Sequence, residues 1–348
     1  VYGLKGDLLT EPKPSDYKED KVAVHTDDEV PSIAIIPFDN KGADEDVFYA
    51  YGISADLISE CSSSGIIRVE SLDNIEKIEN WDKLKADELV SKLFVRYIAQ
   101  GTLWKMGNMF QLSIELYDTK DKQVIWSDRW QENWDNLTTI KNNLSDGLLK
   151  ALDTKPKVEM KLETTNPEAY EFYLRGRQKF DKRKNINDME IARGLLKKSI
   201  ELDNHLITAK NLLGTTYRVT GDFEKSLEIY LDNENQAEKL GDNNGLGDSL
   251  HNIGNIYHEK GDNNKALDYY RRSLKIREDL GDKRGMGGSL INIGNIYGST
   301  GNYDKSLNYY TRSLEINEKL DNIRGINYSL DNIGIIYTHK GYYDKALD

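Results

Sequence analysis

The spacing of apolar residues changes about midway along the chain. SIAIIPF, 32–38, has no polar gap and ends at Pro37, which predicts a short central strand buried on both faces. Phe48, Tyr51, Ala55, Ile58 and Cys61 then recur every three or four residues and predict a helix. IIRVES, 66–71, predicts a second strand. From residue 94 the period falls to two: Phe110, Leu112, Ile114 and Leu116 alternate with Gln111, Ser113, Glu115 and Tyr117. Turns at Gly107-Asn108 and Lys120-Asp121 divide that stretch into three strands of an antiparallel meander with one buried face. Leu137, Ile140, Leu144, Leu148 and Leu152 form the stripe of a closing helix. Strands with segregated helices predict a small α+β layer domain over 32–152, with a mixed sheet.

Beyond residue 167 the helical pattern copies itself. Gly214, Gly254, Gly294 and Gly334 stand 40 residues apart in NLLGTTYRVTGD, HNIGNIYHEKGD, INIGNIYGSTGN and DNIGIIYTHKGY. A second phrase follows each, at Lys225, Lys265, Lys305 and Lys345: KSLEIY, KALDYY, KSLNYY and KALD. Both phrases read as helices, the first with Leu250, Ile253, Gly254 and Tyr257 on one face, the second with Ala266, Tyr270, Leu274 and Ile276. Gly261, Gly301 and Gly281 fall where a helix end takes a left-handed turn. Gly254 and Ala266 let the paired helices approach closely, with Tyr257 and Leu267 filling the space beside them. Such a pair cannot bury its apolar faces alone, so neighbours must stack. AYEFYLRGRQKF, 169–180, and DMEIARGLLKKSIELD, 188–203, supply an earlier unit with a longer turn.

This pattern resembles the tetratricopeptide repeat, in the longer 40-residue form found in adaptor proteins that orient cell division and in kinesin light chains. The resemblance covers 167–348 and implies an all-α superhelix of five repeats with a concave, peptide-binding groove. The preceding half resembles the TolB-like amino-terminal domain related to the flagellar FlgO group, on SIAIIPFDN, FYAYGISADLISECSSSGIIRVES, LFVRYIAQGTL and MFQLSIELYDTKDKQVIWSDRWQ. Members usually carry Arg just after the second strand; Glu70 and Ser71 stand there in this chain. VYGLKGDLL, 1–9, is similar to the last strand of a class III adenylate/guanylate cyclase domain. The expected organisation is the end of an upstream domain at 1–10, linkers at 11–31 and 153–166, the α+β domain between them, and the repeats. Val1 in place of Met, and a helix phrase that breaks off at Asp348, predict a segment of a longer polypeptide.

Composition narrows the chemistry. A formal charge of −12 on 348 residues repels polyphosphate backbones, so a nucleic-acid groove is not expected. No apolar run approaches the roughly 20 residues that cross a bilayer. The single cysteine, Cys61, cannot form an intramolecular disulfide, which points to a reducing, cytoplasmic setting. It has no local His or basic cluster and reads as a buried apolar residue rather than a nucleophile. The excess of 21 Tyr and 27 Gly over 7 Phe and 6 Pro comes largely from the copied phrases.

No catalytic site, metal site or cofactor is expected. GLGDSL at 245 and GMGGSL at 285 contain Gly-x-Gly, but between helices and without a third glycine, so they read as small residues in helix packing. His251 and His258 share a helix face without a spaced third ligand, which suggests a solvated groove or surface position. The basic run 179–185 reads as a solvated helix end. Asn252, Asn255, Asn292, Asn295 and Asn332 recur at fixed places in the first helices although Asn is a poor helix-interior residue. By the resemblance their face lines the groove, where amides and His258 can bond an extended peptide; alternatively the amides bond neighbouring helices. The expected partners are a protein or peptide and the upstream domain of the same polypeptide. The functional expectation is a non-catalytic regulatory and interaction segment of a bacterial-type signalling protein. Its alternatives are the regulatory tail of a class III cyclase making cyclic AMP, or of a winged-helix transcription regulator.

Overall fold

A computed structural model describes residues 31–63, 67–154, 164, 166–320 and 322–347. The cyclase-like phrase 1–9, almost all of the 11–31 linker, most of the 153–166 linker and Ile66 lie outside these residues. Strand β1 (Ser32–Ile35) is buried on both faces, as its unbroken apolar run requires. Parallel to it on either side lie β3 (Arg68–Val69) and β4 (Tyr97–Met106), with Ile33 opposite Val69 and Tyr97. From β4 the sheet continues as the predicted meander through β5 (Met109–Asp118) and β6 (Gln123–Asn133), in the order β3-β1-β4-β5-β6. A two-residue strand, β2 (Asp39–Asn40), also pairs with β4. The sheet is therefore mixed, as expected.

Helix α1 (Val47–Ser63) and helix α4 (Leu137–Ala151) cover one face, against Ile33, Ile35, Phe110, Leu112, Ile114 and Leu116. Two helices that the hydrophobic spacing did not indicate, α2 (Leu72–Glu76) and α3 (Ala86–Leu93), cover Ala34, Ile36 and Ile98 on the other. They are short, and few apolar positions mark them.

The rest of the chain is a run of helix pairs: α5 (Pro167–Asp181) with α6 (Ile186–Leu202), α7 (Ile207–Val219) with α8 (Phe223–Leu240), and α9 (Asn243–Glu259) with α10 (Asn263–Leu280). Then come α11 (Lys283–Ser299) with α12 (Tyr303–Lys319), and α13 (Ile323–His339) with the short α14 (Tyr343–Leu347). The joints repeat every 20 residues. Gly221, Gly241, Gly261 and Gly281 take φ between 66° and 80°, and the Asp after each caps the next helix through its side chain. Within a pair the closest approach is at the repeated glycine, where a Cβ on Gly254 would lie 2.7 Å from the Tyr270 ring and one on Gly294 2.6 Å from Tyr310. Ala266 stands where Ser226 and Ser306 do, and those hydroxyls donate to the carbonyls of Gly214 and Gly294. A small side chain is needed there because the backbones nearly touch.

One apolar core joins the sheet part to the first repeats, running from Ile53, Leu57 and Leu144 into Tyr170, Leu174, Leu196 and Leu213. Helix α1 is consequently buried almost all round: the predicted stripe faces inward, and so do Tyr49, Ile53, Asp56 and Leu57.

Candidate partner-binding face and its junction with the sheet

The first helices of successive repeats touch each other, α7 with α9 and α11 with α13, which sets them on the inner side of the curve. The repeated asparagines project from these helices, and their carbonyl oxygens have structural work. Asn255 Oδ1 accepts from the Tyr270 hydroxyl at 2.8 Å and from Asn292 Nδ2 at 3.1 Å; Asn295 Oδ1 accepts from Tyr310 at 2.7 Å. Thr215 holds the same place against Tyr230, at 2.8 Å. The logic is that each tyrosine ring lies over a glycine and reaches across to the inner side, where its buried hydroxyl needs a partner. The bonds leave the Nδ2 groups of Asn255 and Asn295, the Oδ1 of Asn292 and the whole Asn252 amide without a protein partner among the described residues. Asn332 donates to the Tyr328 carbonyl of its own helix at 2.6 Å. Both readings of these amides therefore have a physical basis: one atom of each fixed amide holds the repeats and the other is unspent.

His258 shares a hydrogen bond of 3.2 Å with Asn263. His251 is half-buried. Its ring lies 5.5 Å from that of Tyr270, its Nδ1 is buried without a partner, and burial, reinforced by Arg277 and Arg218, pushes its pKa down to about 3. It is neutral, packed against Tyr270, with its Nε2 3.5 Å from Asn292 Nδ2. Cys61 is fully buried and its thiol pKa is pushed up by burial. Gly245 and Gly285 leave room for the capping side chains Asp242 and Asp282 rather than for a phosphate. The basic run is not wholly solvated: Lys182 reaches Glu76 on α2, and Lys179 pairs with Asp188 at 2.6 Å. Among the described residues, no group of three or more His, Cys, Asp or Glu could hold a metal ion.

Sequence spacing did not reveal the junction between α1 and α5. Asp56, inside α1, accepts from the hydroxyls of Tyr170 at 2.6 Å and Tyr173 at 2.9 Å and pairs with Arg177, while Lys141 of α4 lies 3.8 Å away. Burial opposes its ionisation, but Lys141, Arg177 and the two hydroxyls outweigh that and hold its carboxyl below the usual range. Beside this network Tyr49 donates to Glu171 at 2.5 Å and accepts from Trp134 Nε1 at 2.9 Å. The one clue in the sequence was an acid among apolar residues, at i+1 from Ala55 and two before Ile58.

Family models of the tetratricopeptide repeat match residues 205–279 and 289–320. A Rhizobium meliloti (strain 1021) protein provisionally named adenylate cyclase 3 is 25% identical over 186 residues, which are 51% of this chain and 31% of that protein. The chain thus spans under a third of the relative's length. Among solved structures, BtubC from P. vanneervenii is similar at 18% identity over 51% of this chain and 74% of its own, with a TM-score of 0.46. The apo form of RapI is similar at 14% over 61% and 59%, with a TM-score of 0.45. No helix among the described residues is long and apolar enough to cross a membrane. A mixed sheet leads into a helical array like that of tetratricopeptide repeats, whose family models match it over 205–279 and 289–320.

Proposed function

We propose that this chain is a non-catalytic regulatory and protein-interaction segment of a bacterial-type signalling protein, acting in the cytoplasm. Its inner helical face holds an extended peptide or a domain of the same polypeptide. The part over 32–152 serves as a TolB-like platform on which the repeats are mounted. The carrying observation is the recurrence, in consecutive tetratricopeptide repeats, of amides with one atom fixed by the fold and the other unspent. Such amides are pre-oriented, so a peptide backbone meets them without a further ordering cost. The test uses Asn255→Asp plus Asn295→Asp, which keeps the acceptor for each tyrosine and removes the unspent donors. Titration with the upstream domain should show binding weakened about tenfold at unchanged melting temperature; unchanged binding sinks the assignment.

A second reading is that the segment tunes a class III cyclase making cyclic AMP. The partial likeness to the Rhizobium meliloti protein supports it. Cyclic AMP production by the whole protein, with and without residues 32–348, decides it; equal rates with and without the segment discard the tuning role.

A further inference from the structure

Helix α1 meets the solenoid twice. Near its start and middle it lies on α5; at its last turn Ser62 Oγ accepts from Arg284 Nη1 of α11 at 2.7 Å. Between these contacts lies a cavity of about 590 Å³, walled by α1 and α2 on one side and by the ends of α5, α9, α10 and α11 on the other. Pockets of this size at the meeting of two structural units are usual ligand sites.

The carboxylates of the wall are paired, while two of its arginines are not: Arg183, which is exposed and donates to the Phe180 carbonyl at 2.6 Å, and Arg284. Arg277 holds both Asp248, at 2.7 Å, and Asp282, at 2.6 Å. Arg177 lies 3.8 Å from Asp181 and Lys77 2.6 Å from Asp73, while Lys182 takes Glu76. Arg284 has no carboxylate within ion-pair distance among the described residues. A guanidinium carries five N–H donors, and the Ser62 hydroxyl takes one. The residue is exposed and lines the cavity. Neighbouring protein displaces enough water from the guanidinium to lower its pKa, with Asp282 and Glu70 only partly compensating. An anion there would offset that desolvation.

We propose that this cavity binds a small anion, a carboxylate or a phosphoryl group, with Arg284 as its anchor and the Ser62 hydroxyl as a second donor. Ser62 accepts from Arg284 and keeps its own proton to give. A ligand so held touches α1 and α11 at once and favours the arrangement in which the solenoid is closed on the sheet. The proposal stands whether or not the inner face holds a peptide.

The test is isothermal titration of the 348-residue chain with inorganic phosphate and, separately, with succinate, at low salt. One of them binds, and which one separates a phosphoryl ligand from a carboxylate. Arg284→Gln weakens that binding at least about tenfold, while Arg312→Gln, whose guanidinium faces Glu278 at 3.5 Å, leaves it unchanged. Ser62→Asp supplies the missing carboxylate from within; it abolishes binding and raises the melting temperature. No binding of either anion up to about 10 mM, wild-type affinity in Arg284→Gln, or a Ser62→Asp chain that still binds or melts earlier, overturns the proposal.

Discussion

The two places where α1 meets the solenoid are built from opposite materials. At α5 the contact is dry and close: Asp56 is enclosed by two tyrosines, an arginine and a lysine, and a Cβ on Gly52 would fall 2.7 Å from Leu174. At α11 it is polar and sparse, with Ser62 on Arg284 beside an open cavity; next to it Asp73 of α2 lies 3.8 Å from Arg324 of α13. A buried charge network tolerates no partial opening, because each exposed partner leaves another unpaired. A few surface bonds can exchange with water at almost no cost. The first contact is thus a permanent mount and the second a reversible one, and a single helix carries both.

The sharpest way to break this contrast is Asp56→Ala. It removes the shared partner of Arg177, Tyr170 and Tyr173, although Lys141 keeps Glu60 at 2.5 Å, and urea unfolding should show a loss of about 3–5 kcal/mol. Acid acts on the same group. The carboxyl titrates lower in the folded than in the unfolded chain, so its contribution is full above the unfolded value near ~4 and disappears as pH falls through the folded one. The melting temperature of the wild type should therefore fall more steeply below about pH 4 than that of Asp56→Asn. Next in size, Gly254→Ala drives a methyl into the Tyr270 ring and should cost about 1–3 kcal/mol by thermal unfolding. Because it splays α9 from α10, small-angle scattering should also show the far contact opened and the mount intact. The smallest effect belongs to Arg324→Ala, whose partner pair is largely exposed: under about 0.5 kcal/mol. A loss as large as that of Asp56→Ala would erase the distinction between the two contacts.

The repeats were legible because each role is written four times. Gly214, Gly254, Gly294 and Gly334 could be compared with one another, and the tyrosine that covers the glycine recurs with the first three. The meander was legible because alternation in Phe110–Leu116 needs no knowledge of distant residues. Asp56 was hidden for the converse reason: it occurs once, and its partners Tyr170, Tyr173 and Arg177 lie more than a hundred residues away. A stripe of five apolar positions placed α1 correctly but assigned it one buried face, since the second is created only when α5 arrives. The asparagines fell between these cases. Their phase was visible in the chain, while the sharing of each amide between a tyrosine and solvent depends on which way a ring crosses. His251 was expected in solvent because a histidine carries no sign of the tyrosine that will cover it.

The left-handed glycines at 221, 241, 261 and 281 mark off the solenoid in equal steps. Contacts inside a pair do not know how many steps precede them, but the far contact does, since it is the first turn of α11 that comes round to Ser62. Deleting one 40-residue unit would leave all packing within pairs in place and bring a different loop to α1. The number of units is therefore a length setting: it can vary by whole steps without harm to folding, and each step would give the same sheet a new neighbour.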